Sequence, residues 1–206
     1  MKKVFLKHYN DWEDVFESKL KEFEDTHNNS SQWFEEMAFC VFAANSSAEM
    51  GLKAVELLRP HLESGSLEDF IQSVEGKVRF YNVRSEYLYH NKVFLEGLDQ
   101  DFEDLLKGLD FFERREFIRK NFKGFGMKES SHFLRNIGFR GYAIVDKHVL
   151  SVMKDLGVFK EVRPPKNQKE YLELEKKIKG FADSHNLCVD KLDLALWSFR
   201  TQKVIK

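Results

Sequence analysis

Apolar residues recur along this chain at intervals of three and four, the period of a helix buried on one side. Trp12, Val15, Phe16, Leu20 and Phe23 carry that pattern through residues 10–25. Ser30 or Ser31 is placed to cap a second helix. In it Trp33, Phe34, Met37, Cys40 and Val41 leave little polar surface, which puts this helix at the centre of a core. The same period predicts helices at about 47–58, 67–74, 77–96, 100–107, 111–121, 127–137, 147–156, 167–185 and 190–199. Strict alternation, the mark of a strand, is scarce. Pro60 ends one helix, and Pro164 and Pro165 mark a connector before another. No repeat, low-complexity tract or linker interrupts the pattern. The expectation is an all-α protein, built as two helical lobes with a cleft.

Composition narrows this little and excludes much. Twenty Phe and three Trp in 206 residues supply enough apolar area for a packed core, which rules against disorder. The longest apolar run, residues 37–44, is far short of the roughly 18 residues that cross a bilayer, so no membrane partner is expected. The N-terminus turns polar too soon for a signal peptide. Two cysteines, Cys40 and Cys188, make neither a disulfide framework nor a four-thiolate cluster, and a reducing cytoplasm is the expected compartment. No phosphate-binding loop, dinucleotide fingerprint, His-Glu-x-x-His pair or serine elbow is present. The net charge of −1 does not announce a nucleic-acid partner. Residues 111–140 nevertheless hold eight basic side chains against three acidic ones, a local surplus suited to phosphates or to a solvated helix face.

That surplus surrounds the most informative stretch, Phe122-Lys123-Gly124-Phe125-Gly126-Met127-Lys128-Glu129. A helical pattern precedes it, with Phe112, Phe117 and Ile118 among its apolar positions, and another follows, with Phe133, Leu134 and Ile137. Two glycines one residue apart permit positive φ and close backbone approach. A turn of that kind leaves the first amides of the following helix unpaired and outward-facing, with the helix dipole behind them. Gly124, Gly126, Met127 and Lys123 are therefore candidates to hold a DNA phosphate. An ordinary glycine-capped corner has the same pattern. Lys128 separates the two readings. A lysine in the first turn faces the positive end of the dipole, an unfavourable place unless it serves a purpose. Attack by an amine requires its uncharged form. The dipole contributes only about 0.3–1 kcal/mol toward that, so a nucleophilic Lys128 is expected to be partly buried.

An apolar run, Tyr142-Ala143-Ile144-Val145, ends at Asp146, where a new helical pattern begins. Asp146 reads as a helix cap. Amides that cap a carboxylate also stabilise its ionised form, so capping and electrostatic catalysis are compatible.

Gly124-x-Gly126-x-Lys128 followed by Val145-Asp146-x-His148-Val149, with the Asp eighteen positions after the Lys, resembles the helix-hairpin-helix DNA glycosylases that carry a Gly/Pro-rich loop and a conserved Asp. A closer resemblance, to the short type-2 8-oxoguanine DNA glycosylase/AP lyases, covers most of the chain. It is carried by Trp33-Phe34, Ala44-Asn45-Ser46-Ser47, Arg79-Phe80-Tyr81, Lys128-Glu129-x-Ser131-His132-Phe133-Leu134-Arg135-Asn136, and Leu192-Asp193-Leu194-x-x-Trp197 through Lys206. The resemblance implies base excision repair of double-stranded DNA by a monomer. The hairpin and catalytic residues would fall in a lobe of about 100–160. The other lobe would comprise about 20–99, with the N- and C-terminal helices alongside. Lys128 would attack C1′ of the damaged nucleotide and Asp146 would stabilise the oxocarbenium-like transition state. Phe80 and Trp197 would sandwich the flipped base, unless they simply pack in the core. Asp193 would accept from the N1–H and N2–H of a guanine-type edge, unless it caps beside Asp190. Lys206 would distinguish 8-oxoguanine from guanine, anchored by Val204 and Ile205. No cofactor is implied beyond a monovalent cation that family hairpins can hold on backbone carbonyls, and the iron–sulfur cluster of related endonucleases is excluded by the cysteine count. Two departures stand out. Asn45 occupies a position where several relatives have glutamine, and Phe125 one where Val or Ile is commoner. Two other readings stay open: the same chemistry on another damaged base such as an oxidised pyrimidine, and a helix-hairpin-helix module that binds DNA without catalysis.

Overall fold

A computed structural model describes all 206 residues, and its regular elements are all helices, with no strand. The chain divides into two compact units, residues 28–133 and residues 1–27 with 134–206.

The unit of residues 28–133 is built on α3 (Trp33–Ala43), whose Trp33, Met37, Ala38, Phe39, Cys40, Val41 and Phe42 are all at most 2% exposed. Burying each of its large apolar side chains contributes about 1.5–3 kcal/mol. That places α3 at the centre of the core, as its pattern predicts. α4 (Ala48–Leu58) lies against it so closely that a Cβ at Gly51 would sit 2.9 Å from the Phe39 ring. α5 (Leu67–Val74) opens with a reciprocal Ser66–Asp69 capping box. α6 (Tyr81–Glu96) starts four residues later than its apolar spacing suggests, because Gly76 (φ +65°) and Phe80 (φ +56°) are left-handed and break the helix before Tyr81. α7 (Phe102–Gly108) and α8 (Phe111–Asn121) are capped by Asp101 and Asp110. On α8 the expected apolar Phe112 is 61% exposed, while Arg115 is buried on the inner face. α9 (Met127–Asn136) follows the hairpin, and the division between units falls within it.

The other unit joins the two ends of the chain. α1 (Lys2–Asp11) went unrecognised in the sequence because it buries only Phe5 and Tyr9, one turn apart, while Val4 between its lysines is exposed. α2 (Glu13–His27) buries Phe16, Leu20 and Phe23 but leaves Val15 46% exposed. After α9 the chain turns at Gly138 (φ +84°), where a Cβ would come within 2.5 Å of the His27 Cβ. His27 Nδ1 lies 2.9 Å from the Ile137 carbonyl. α10 (Lys147–Asp155) and α11 (Gln168–Ser184) precede α12 (Val189–Thr201), which packs on α10, α2, α1 and α11. Residues 134–160 thus pack with the chain termini rather than forming one lobe with residues 100–133. Arg135 and Arg140, bonded to Asp193 and Glu24, are part of the reason.

Candidate active site

α8, the turn at residues 122–126 and α9 form a helix-hairpin-helix, of which α8, the turn and the first two turns of α9 lie in the unit of residues 28–133. Phe122 and Phe125 are buried and stack edge-on, and Phe125 meets Phe133 of α9 in the same way, so the turn is pinned from below by its aromatic residues. The larger Phe125 is accommodated in this packing. Gly124 has φ +84°, and a Cβ there would press to 3.1 Å from the Tyr87 ring, so glycine is required on both counts. Gly126 has no such constraint: it is not left-handed, and a Cβ there would make only ordinary contact. Its carbonyl accepts the first bond of α9, from the Ser130 amide at 3.0 Å, so the amides of Met127, Lys128 and Glu129 precede the helical ladder. Sequence reasoning missed Asn91 on α6. Its side chain takes both backbone groups of Lys123, accepting from the amide at 2.7 Å and donating to the carbonyl at 3.0 Å. Lys123 therefore has only its exposed side chain to offer a phosphate.

Lys128 stands at the second position of α9 with its side chain 32% exposed. Its Nζ lies 3.1 Å from Glu129 Oε1, so Glu129 is also at the mouth of the hairpin.

The basic surplus around the hairpin is mostly consumed inside the protein. Arg115 and Arg135 are 2% and 3% exposed. Arg114 donates to the Leu106 and Leu109 carbonyls, Arg119 pairs with Glu116, and Arg140 pairs with Glu24. Arginine does this readily because its five donors suit carbonyls and carboxylates. Lys120 and Lys123 stay exposed. The residue count thus overstates the open positive surface.

Asp146 lies in the other unit. As N-cap of α10 it accepts from the His148 and Val149 amides, both at 2.8 Å and both through Oδ1. Oδ2 takes no part in this cap. The residue is half-buried, and the apolar run before it is almost wholly buried.

Comparison with known proteins accords with this geometry. The family model for 8-oxoguanine DNA glycosylase, of the helix-hairpin-helix type, matches residues 16–187. The chain belongs to the 8-oxoguanine DNA glycosylase family. Among its relatives, the 8-oxoguanine DNA glycosylase/AP lyase of Methanocaldococcus jannaschii is 32% identical, over 94% of this chain and 92% of its own. The enzyme of that name from Thermotoga sp. is 38% identical over 84% and 82%. Two solved structures are similar throughout. The M. jannaschii glycosylase/lyase in complex with a 15mer DNA containing 8-oxoguanine has a TM-score of 0.89 at 28% identity, with 98% and 100% of the two chains covered. The Thermotoga maritima 8-oxoguanine DNA glycosylase has a TM-score of 0.88 at 33% identity, with 99% and 97% covered.

The residues that the family resemblance assigns to base recognition have different settings. Phe80 is 58% exposed, so it is not core. It holds a left-handed conformation that is costly for a bulky residue, and the Arg79 and Arg84 guanidinium groups lie 5.2 and 5.6 Å from its ring centre. Arg84 is buried and donates to the Phe42 and Ala44 carbonyls, which holds the end of α3 beside Asn45. Trp197 is half-buried and meets His148 edge-on at 6.0 Å. Val204, Ile205 and Lys206 are all half-buried, so the tail is not frayed outward.

Asp193 is 2% exposed, and both its oxygens are engaged. Oδ1 accepts from the Ile144 amide at 2.9 Å, and Oδ2 is paired with Arg135. The carboxylate read from the sequence as a base acceptor therefore faces the protein, with neither oxygen open to a ligand. Burial pushes its carboxyl up to about 6, against the pull of Arg135 and the Ile144 amide. Since this lies above its ordinary value, the stability it lends is complete at low pH and is lost as the pH rises through about 6. The stability of the wild type relative to Asp193→Asn should accordingly fall between about pH 4 and about pH 7.5, read as paired urea midpoints.

Proposed function

We propose that this protein removes 8-oxoguanine from double-stranded DNA and then nicks the abasic site through a lysine imine. It thereby carries out the first steps of base excision repair, as a monomer acting on chromosomal DNA in the cytoplasm. The observation that carries the reading is Lys128, a half-buried amine in the first turn of the helix opened by a DNA-binding hairpin, in a chain of this family.

The chemistry follows from the groups present. The amides at the start of α9 and the Lys123 side chain hold a phosphate of the damaged strand. The lesion leaves the stack, since its C1′ is otherwise out of reach, and Phe80 and Trp197 offer ring faces to the extruded base. As the bond from C1′ to the base breaks, positive charge develops on C1′ and the ring oxygen, and the Asp146 carboxylate stabilises it. Lys128 Nζ forms the new bond to C1′ while the base departs with the electron pair and takes up a proton. Opening of the sugar ring gives the imine. Loss of a proton from C2′ then expels the 3′ phosphate and breaks the strand. Lys206 reads the feature that separates 8-oxoguanine from guanine. No cofactor enters these steps. A monovalent ion on the hairpin would only stiffen the turn, held by backbone carbonyls of which that of Lys123 already accepts from Asn91.

A borohydride-trapping panel tests lesion identity. Duplexes carrying 8-oxoguanine, thymine glycol or uracil should give covalent complex with the first alone. Deletion of Lys206 should slow 8-oxoguanine excision by about tenfold or more, the scale of one lost charged contact, and leave trapping at a preformed abasic site intact. Equal trapping on thymine glycol would shift the assignment to oxidised pyrimidines. DNA binding without trapping or nicking on any duplex would reduce the protein to a binding module.

A further inference from the structure

Asp146 is mounted on an unusual support. Residues 142–146 belong to no helix and have no partner strand, yet Tyr142, Ala143, Ile144 and Val145 are between 0% and 5% exposed. Buried amides and carbonyls must be paired, or each costs about 1–3 kcal/mol. In a sheet a neighbouring strand would pair them. Here side chains of α11 and α12 do so. Asp190 accepts from the Gly141 amide at 2.8 Å, Glu175 from Ala143 at 3.3 Å and Asp193 from Ile144 at 2.9 Å. The Tyr171 hydroxyl makes two bonds, donating to the Ala143 carbonyl at 3.0 Å and accepting from the Val145 amide at 3.3 Å. The next amide, that of Asp146, turns back to the Ile144 carbonyl at 3.0 Å, and the Asp146 side chain then caps α10.

We infer that Tyr171, backed by Glu175, is a positioning residue for base excision: its hydroxyl clamps the backbone that carries the Asp146 carboxylate. This rests on the reading of Asp146 as the electrostatic partner of the reaction. Tyr171 is 2% exposed and cannot itself meet DNA. Among these side-chain contacts its hydroxyl is the one nearest to Asp146 along the chain, on the amide of the preceding residue, and it spans both sides of Ile144. Asp193 and Glu175 also face Arg135 and Lys179, so they serve charge balance as well. Tyr171 serves the backbone of this segment at two points through one atom. A catalytic carboxylate has to be held to within tenths of an ångström, since a displacement of about 1 Å costs on the order of a hundredfold in rate.

The inference is specific to one step. Charge develops at C1′ only while the base is leaving, whereas imine formation at an aldehyde already present needs the amine alone. The informative quantity is therefore the ratio of single-turnover 8-oxoguanine excision to borohydride trapping at a preformed abasic site, measured on one preparation of the full chain. That ratio cancels any loss of folded enzyme. Tyr171→Phe should lower it by about ten- to a hundredfold, the scale expected when two hydrogen bonds to buried backbone are removed. Duplex affinity should stay within about threefold, because no phosphate contact is touched. Asp146→Asn, run in parallel, sets the full size of the effect. If Tyr171→Phe does not fold, Glu175→Gln, which weakens the acceptor facing Ala143, should lower the same ratio by several-fold. An unchanged ratio in Tyr171→Phe, or in Glu175→Gln where that variant stands in, overturns the inference when Asp146→Asn lowers it. So does an equal loss of both steps, which marks a purely structural role. An unchanged ratio in Asp146→Asn removes the underlying reading of Asp146, and the inference with it.

Discussion

Lys128→Gln should abolish both base excision and imine trapping on an 8-oxoguanine duplex, a loss on the order of a thousandfold or more, because covalent catalysis with no nucleophile retains only binding and electrostatic contributions. Glutamine is close to lysine in length and polar, but its amide nitrogen does not attack C1′. The change removes the pairing with Glu129, whose partner side chain is 32% exposed on Lys128. Partly exposed pairs of this kind contribute about 0–1 kcal/mol, so the melting temperature should move by no more than about 2–4 °C for a chain of this size. The hairpin amides are backbone groups and are unaltered, so duplex affinity should stay within a few-fold. The decisive measurement is borohydride trapping resolved by gel, alongside an affinity measurement on the same duplex. A variant that traps like wild type would show that another amine is the nucleophile.

Asp146→Asn should slow excision by about a hundred- to a thousandfold while leaving the fold intact, the magnitude found when one preorganised electrostatic group is lost from a transition state. This substitution separates two functions that coincide in one side chain. Oδ1 caps α10 by accepting from the His148 and Val149 amides. Asparagine caps about as well as aspartate, so the cap survives and only the charge is lost. Asp146→Ala removes both and should cost a further ~1 kcal/mol of stability. Single-turnover rates with thermal melts of both variants test this. Near-normal excision by Asp146→Asn together with a destabilised Asp146→Ala would leave Asp146 as a cap and nothing more.

Much of the fold was legible in the sequence because helices are local. The spacing of Phe16, Leu20 and Phe23, and the apolar run from Trp33 to Phe42, specify helices without reference to the rest of the chain. The misplaced boundary at α6 has an equally local cause: the left-handed turn at Gly76 and Phe80 leaves no periodic signature. Phe112 and Arg115 show where the reading fails. On α8 Ile118 is buried as expected, but Phe112 points outward and Arg115 inward, because an arginine with a hydroxyl partner such as Ser131 and a ring beside it is tolerated in a core. Among the site residues, Lys128 and the hairpin were visible because a tight turn and a helix start are contiguous in sequence. Asn91 was not visible, since it reaches Lys123 from 32 positions away.

By itself the sequence determined most of the helices, the two-glycine turn, a lysine in an unfavourable place after it, an aspartate poised to cap, and through its motifs the family. Each depends on spacings of a few residues or on a recognisable pattern. The tertiary structure decided what those groups are held by. It turned Asp193 from an expected base acceptor into a buried partner of Arg135 and Ile144, and it consumed most of the basic surplus in internal bonds. It also gave the non-helical segment before Asp146 its pairing partners, from side chains 26 to 49 positions later. The physical reason is that a buried peptide group must find a partner wherever the fold brings one, and which side chain arrives there is a property of packing that no local pattern encodes.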